Sequence, residues 1–372
     1  MKVFINGKIF TGNTFLENQA VLVDEGKIIA ITGETNFSGE SVIDLKQNIL
    51  AAAFIDLQIY GGNKKLFGEF PSVKALEAMY NYCLSGGAMH FLPTIATNSL
   101  EIMLEGIEAV KTYWKQKGTG VLGLHLEGPY INEIKRGAHL LQHIRKPSLE
   151  EIKLLIEKGK EVIKMITLAP EICSKEIIQL FQQNNIIVSA GHTNATYTEA
   201  MAGFKTGINT ATHLYNAMSP FNHREPGMVG AIFDSGNIAV SIVADGHHVD
   251  YAALRVAKKI LGEKLFLITD AVTQNNEGEY KHQLSGDKYV LPDGTLSGSS
   301  LSMLKAVNNC IQHTAMDAGE VLRMASLYPA RVLGLDDRKG RIEKNYDADL
   351  IVLSPDLKQL SVFLDDELID FV

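Results

Sequence analysis

Cysteine is nearly missing from this sequence. Cys83, Cys173 and Cys310 are the 3 cysteines in 372 residues. They show neither CxxC spacing nor a disulfide pattern, so they read as small buried hydrophobes in a reducing compartment. Surplus positive charge is lacking too: 35 Lys and Arg stand against 43 Asp and Glu, a net charge of −8. Nucleic acid and anionic membrane surfaces both call for a basic face, so neither is expected as a partner. No apolar run approaches a membrane span. The opening "MKVFINGKIFTG" turns polar at Asn6 and carries no signal-peptide core, and the expectation is a cytoplasmic protein. Internal repeats and low-complexity stretches are absent as well.

What remains is a chain able to build a large core. Hydrophobic residues make up 46% and charged residues 21%, which argues against global disorder. The length suits one large α/β domain with an accessory piece. Residues 1–50 hold short alternating runs such as "KVFINGKIF" and "QAVLVDEGKIIAIT", separated by turn residues. From residue 51 the rhythm changes to strand-length apolar runs: "AFIDLQI", "AMHFLPTI", "GVLGLHLEG", "KMITLAP", "IIVSAGH", "NTATHLY", "IAVSIVAD" and "LFLITDA". Amphipathic stretches follow most of them, among them Val73–Ser85, Leu100–Lys117, Leu149–Lys164 and Asp250–Leu261. Strands alternating with helices imply βαβ units and a parallel sheet. Eight of them over this length fit an α/β fold of the (β/α)8 TIM barrel type, over residues 51–334. The tail returns to short strands, so residues 1–50 and 335–372 are expected to form one small β-sandwich domain. A doubly wound open sheet is the alternative.

Barrel enzymes build their sites at the carboxyl ends of the strands. Those ends carry Asp56 and Gln58, Glu127, His192, His213, Asp245 with His247 and His248, and Asp270. A single histidine at such a place is more often a hydrogen-bonded core residue than a ligand; several strand ends bearing His, Glu or Asp are hard to treat as accident. Glu127, His192 and His213 offer one carboxylate oxygen and two imidazole nitrogens, and three protein ligands leave one position open, as in catalytic zinc sites. No HExxH or zinc-finger spacing is present, so this reading depends on the fold. Asp270 is a candidate general base, with a helix N-cap as its plainer role. Arg224, in the polar loop "THLYNAMSPFNHREPGMVGAI", has the guanidinium that matches phosphate or carboxylate, and taken alone is a surface ion-pair partner. One imidazole of "ADGHHVD" is placed to polarise a carbonyl.

The motifs "HLEGPYINEIKRGAH", "AGHTNATYTEA", "THLYNAMSPFNHREPG", "ADGHHVDY", "ITDA" and "LSGSSLSM" together resemble those of the N-acetylglucosamine-6-phosphate deacetylase family, in the amidohydrolase superfamily. The flanks, with "DADLIVLSPD", are similar to that family's small β domain. The resemblance implies Glu127, His192 and His213 as metal ligands, Asp270 as catalytic acid and base, and His248 as the group polarising the acetamide carbonyl. It implies Asn216, Ala217 and Arg224 at the phosphate, with Arg224 reaching a neighbouring subunit's site in a homodimer, and His139 at the sugar hydroxyls. The implied reaction converts N-acetylglucosamine 6-phosphate into glucosamine 6-phosphate and acetate, in amino-sugar catabolism. The implied cofactor is one divalent ion, zinc first, with iron, cobalt and manganese as alternatives.

Rival readings keep the chemistry and change the substrate, to N-acetylgalactosamine 6-phosphate or another amidohydrolase substrate, or drop the chemistry altogether for a phosphosugar-binding protein. The second conflicts with the presence of all four of Glu127, His192, His213 and Asp270. An isomerase or aldolase barrel would want a strand-end base or a Schiff-base lysine, and no strand end carries a lysine. The first strand, "FIDLQIYGG", lacks the His-x-His pair with which much of the superfamily binds a second metal. One metal is therefore expected, with Gln58 a hydrogen-bonding residue of the site. Tyr60 and His247 receive no role.

Overall fold

The computed structural model describes residues 1–34, 37, 41–358 and 360–371. They divide into two compact units, Met1–Ile55 with Cys83–His90 and Ser302–Val372, and Asp56–Tyr82 with Phe91–Leu301. These limits follow packing, whereas the boundaries of 50 and 334 above follow the rhythm of strands and helices.

The eight apolar runs are the strands of one sheet: β1 (Phe54–Ile59), β2 (Ala88–Ala96), β3 (Leu124–Glu127), β4 (Ile163–Leu168), β5 (Ile187–Ala190), β6 (Thr210–Ala211), β7 (Ala239–Ile242) and β8 (Leu265–Leu267). Neighbours in the chain are neighbours in the sheet, and β2 through β8 pair in parallel. The ring closes beyond β8, where Asp270 N–H donates to the Gln58 carbonyl at 2.9 Å and Tyr60 N–H to the Ala271 carbonyl at 2.9 Å. A doubly wound sheet would leave both edges free; these bonds make it a barrel. The strands are continuous apolar runs because both of their faces are covered, as in β1, where every residue is buried.

Seven helices follow the first seven strands: α1 (Val73–Ser85), α2 (Leu100–Lys115), α3 (Leu149–Gly159), α4 (Lys175–Gln183), α5 (Tyr197–Lys205), α6 (Gly227–Ser235) and α7 (Tyr251–Leu261). Short polar side chains cap several of them: Ser99, Ser148, Ser174, Thr196 and Asp250 each accept a backbone N–H of the first turn. The expected span of α3, to Lys164, is too long. The helix stops at Gly159, where a Cβ would meet Ile107 and Ile163 side chains at 2.7 and 2.8 Å, and Lys164 belongs to β4. After β8 comes an antiparallel sheet that the strand–helix rhythm does not foretell, formed by Gln283–Ser285, Lys288–Val290 and Leu296–Ser299.

In the other unit the two ends of the chain share a sheet. Leu350–Leu353 pairs antiparallel with Ile49–Ala52, in the order Glu367–Phe371, Leu360–Leu364, Leu350–Leu353, Ile49–Ala52, Lys8–Phe10, Phe15–Leu16. A second sheet orders Lys27–Gly33, Gln19–Asp24, Lys2–Ile5 and Ser41–Asp44. Phe4, Val21 and Ile28 of this sheet and Ile9, Leu50 and Phe363 of the other form one core. Phe4 and Phe363 meet edge to face, 5.0 Å apart. That shared core is the expected β-sandwich. The three cysteines are buried and none forms a disulfide.

Candidate active site

The carboxyl ends of the barrel strands surround a cavity lined by Glu127, His192, His213, His248 and Asp270, all within the second unit. Glu127 ends β3 and is 1% exposed. Its Oε1 lies 2.9 Å from His213 Nε2 and 3.4 Å from His192 Nε2, and those two nitrogens are 3.1 Å apart. Tetrahedral bonds of about 2.0–2.1 Å place zinc ligands roughly 3.3 Å from one another, so the spacing suits a divalent ion. His192 Nδ1–H donates to the Lys135 carbonyl at 2.8 Å, which turns the unprotonated Nε2 toward Glu127. His213 Nδ1 is buried without a hydrogen-bond partner.

A second trio, Glu127, His139 and His192, also brings candidate donor atoms within 4.8 Å of one another. His139 Nδ1 lies 3.2 Å from Thr97 N and 2.7 Å from Thr97 Oγ1, and its Nε2 is 3.1 Å from Glu127 Oε2. His139 thus faces one oxygen of the carboxylate, while His213 and His192 face the other.

Electrostatics agree with a cation-binding site. Burial alone would raise the Glu127 pKa, but His192, His139 and His213 hold it well below the ordinary range. Burial pushes His192 down to about 4, leaving a neutral imidazole. Burial also acts against a charged His213, where the hydrogen bond and charge of Glu127 prevail and raise its pKa.

Asp270 follows β8 and is 7% exposed. Burial raises its pKa, against the lowering charges of His213 and His248. Gln58 Nε2 lies between the carboxylates, 2.8 Å from Asp270 Oδ1 and 3.0 Å from Glu127 Oε1. His248 Nε2 is 3.9 Å from Asp270 Oδ2. His192, His213 and Asp270 have φ of 48°, 37° and 55°, in the left-handed region that non-glycine residues rarely visit. Such conformations gather where function constrains the backbone, and here each lies just past a strand end.

Asn216 and Ala217 line the cavity. Arg224 does not: it is exposed in the loop before α6, its N–H on Asn222 Oδ1, and the single chain does not bring it to the other site residues. His247 is exposed and pairs with Asp287 at 2.7 Å. Sequence reasoning gave no role to Tyr60, whose hydroxyl donates to Glu127 Oε2, or to Asp245, which holds His248 Nδ1 at 2.6 Å. It also passed over Tyr280 and His282, which reach the cavity from the antiparallel insertion. The signal was present in "HQLSGDKYV", two short strands about a Gly-Asp turn.

The Amidohydrolase family profile matches residues 49–369. The chain is 37% identical over 363 residues to the N-acetylglucosamine-6-phosphate deacetylase of Haemophilus influenzae, covering 94% of each protein. It is 32% identical over 382 residues to the N-acetylgalactosamine-6-phosphate deacetylase of a Shewanella species, covering 99% of this chain and 96% of that one. It is similar to the crystal structure of N-acetylglucosamine-6-phosphate deacetylase from Pasteurella multocida, with a TM-score of 0.95 at 37% identity and 99% of both chains covered.

Proposed function

The chain belongs to the amidohydrolase family, and we propose that it hydrolyses the acetamide of N-acetyl-D-glucosamine 6-phosphate to D-glucosamine 6-phosphate and acetate. The observation that carries this reading is the convergence of Glu127, His192 and His213 within 3.4 Å, with Asp270 facing them across Gln58.

Glu127, His192 and His213 are the residues that would hold one divalent ion, zinc by the nitrogen and oxygen donors. Such an ion supplies a Lewis acid for the acetamide oxygen and makes water easier to deprotonate. Asp270 takes the proton of the attacking water. Its burial, which raises the carboxyl's pKa, then favours return of that proton to the amide nitrogen, which cannot leave unprotonated. His248 donates from Nε2 to the acetamide oxygen as negative charge gathers there. Its other nitrogen is held by Asp245, so the ring keeps its orientation while it does so. His139, on the cavity wall beside Glu127, is assigned to the sugar hydroxyls. Asn216 and Ala217 are assigned to the phosphate. The exposed position of Arg224 supports a contribution across a homodimer interface, where its guanidinium meets the phosphate of the neighbouring site. Among the described residues no helix is long and apolar enough to cross a membrane, and a cytoplasmic setting fits the substrate.

N-acetyl-D-galactosamine 6-phosphate is the second reading, favoured by the likeness to the Shewanella protein. Acetate release measured side by side on the two phosphorylated epimers and on unphosphorylated N-acetylglucosamine tests both. The glucosamine epimer is expected to have the highest kcat/KM. A higher value on the galactosamine epimer would transfer the assignment to it, and equal rates on the unphosphorylated sugar would remove the phosphate argument.

A further inference from the structure

Two side chains at the end of β1 stand inside the site without belonging to its ligands. Successive side chains of a strand point to opposite faces, so Gln58 and Tyr60 share the face turned into the barrel. Gln58 Nε2 has two hydrogens and three acceptors around it: Tyr60 Oη at 2.7 Å, Asp270 Oδ1 at 2.8 Å and Glu127 Oε1 at 3.0 Å. The Tyr60 hydroxyl passes its own hydrogen to Glu127 Oε2. His139 Nε2 reaches that same oxygen at 3.1 Å. The outer oxygen of Glu127 is thus held by the Tyr60 hydroxyl with His139 beside it, and Oε1 faces both His192 and His213.

We infer that Tyr60 is a positioning residue for Glu127: its hydroxyl, itself held by Gln58, occupies Oε2 and leaves Oε1 as the single oxygen offered to the ion. The inference rests on the metal-assisted reading above. Glu127 and Asp270, from the ends of two different strands, both reach Gln58 Nε2; carboxylates brought so near repel each other and need a positive or proton-donating neighbour. Here neutral N–H and O–H groups supply it. The arrangement fixes the rotamer of Glu127 before the ion arrives, and a ligand oriented in advance binds more tightly than one that must be ordered on binding.

Tyr60→Phe removes the hydroxyl alone. The ring stays to pack against Leu66, Val272 and Tyr280, so the fold has little reason to change. The test strips the full chain with a chelator and titrates it with Zn²⁺ against a chromophoric competitor. The unfolding of the metal-free proteins is followed in parallel. Wild-type protein is expected to take up one equivalent. Tyr60→Phe is expected to bind it about 10–100-fold more weakly, the range for losing an orienting hydrogen bond behind a ligand, at an unchanged metal-free melting temperature. Gln58→Met removes the donor that holds the phenol and is expected to weaken binding in the same direction, which keeps the proposal testable if Tyr60→Phe does not fold. Equal dissociation constants for wild type and the folded variant would overturn the inference and leave the deacetylase reading standing. Wild-type protein that takes up no metal would overturn that reading instead.

Discussion

His248 Nδ1 and Asp245 Oδ2 lie 2.6 Å apart, and the other Asp245 oxygen accepts the backbone N–H groups of His247 and His248 at 2.9 and 2.8 Å. Burial opposes the charge on Asp245, but the hydrogen bonds and charge of His248 outweigh it and keep the carboxyl ionised. The pair fixes which imidazole nitrogen faces Asp270 and the cavity. Asp245→Asn should lower kcat by roughly 10–100-fold with a small change in KM, the scale of losing an orienting carboxylate. A kcat equal to that of wild type would contradict this role.

The two histidine sets differ in one testable respect. His213→Ala removes a ligand and is expected to strip the protein of metal under mild chelation. His139→Ala removes a neighbour of Glu127 Oε2, and such a protein should keep more of its ion than His213→Ala while losing affinity for the sugar. Elemental analysis after dialysis against a weak chelator separates the two, and loss of metal from His139→Ala alone would reverse the ligand choice.

For Arg224 the expected effect is confined to the phosphate. Arg224→Ala should raise KM for the phosphorylated sugar by on the order of 30–100-fold, the value of a charge-assisted hydrogen bond, and leave slow turnover of the unphosphorylated sugar unchanged. Steady-state kinetics on both substrates are the check. Since Arg224 does not line its own chain's cavity, mixing Arg224→Ala with an Asp270→Asn protein should restore activity to a fraction of sites by forming hybrid dimers.

Stability at acid pH has a separate source, in the unit that carries the chain ends. Asp349 accepts from Lys339 at 2.6 Å and pairs with His90 at 2.8 Å. Burial by itself would raise its pKa, but the His90 hydrogen bond and the charges of His90 and Lys339 hold it well below the carboxylate range. The unfolded chain takes up a proton near pH 4 that the fold resists, so this stabilisation is complete above about pH 4 and fades as pH falls through the folded value. Asp349→Asn should destabilise at pH 7 by on the order of 2 kcal/mol, less than a deeply buried pair, since the side chain is 22% exposed. Its unfolding free energy should also depend less on pH between 4 and 2 than that of wild type. Denaturant melts at pH 7 and pH 3 measure both.

Much of this was legible in the sequence because the barrel repeats one physical pattern. Each of β1 to β8 is an apolar run covered on both faces, and the titratable residues stand where those runs stop. Glu127, His192, His213 and Asp270 could be found from position alone once eight runs were recognised, and the resemblance gave them roles. Hydrogen-bond partners were not legible. That His139 stands against Glu127 depends on its contacts with Thr97, 42 residues away in the chain. That Tyr60 holds Glu127 depends on which face of β1 meets β3. The insertion carrying Tyr280 and His282 broke the strand–helix rhythm, and a reading built on that rhythm passed over it. Arg224 looked like a site residue, and the single chain leaves it in solvent.

The central claim is that Asp270 carries protons for acetamide hydrolysis beside an ion held by Glu127, His192 and His213. Acetate release from N-acetyl-D-glucosamine 6-phosphate by wild type and Asp270→Asn, with metal content determined on the same samples, tests it most directly. The account predicts stoichiometric acetate and glucosamine 6-phosphate from wild type, a rate at least about 10²-fold lower in the variant, and a similar metal content in both. Undiminished acetate release from Asp270→Asn at normal metal content would contradict it.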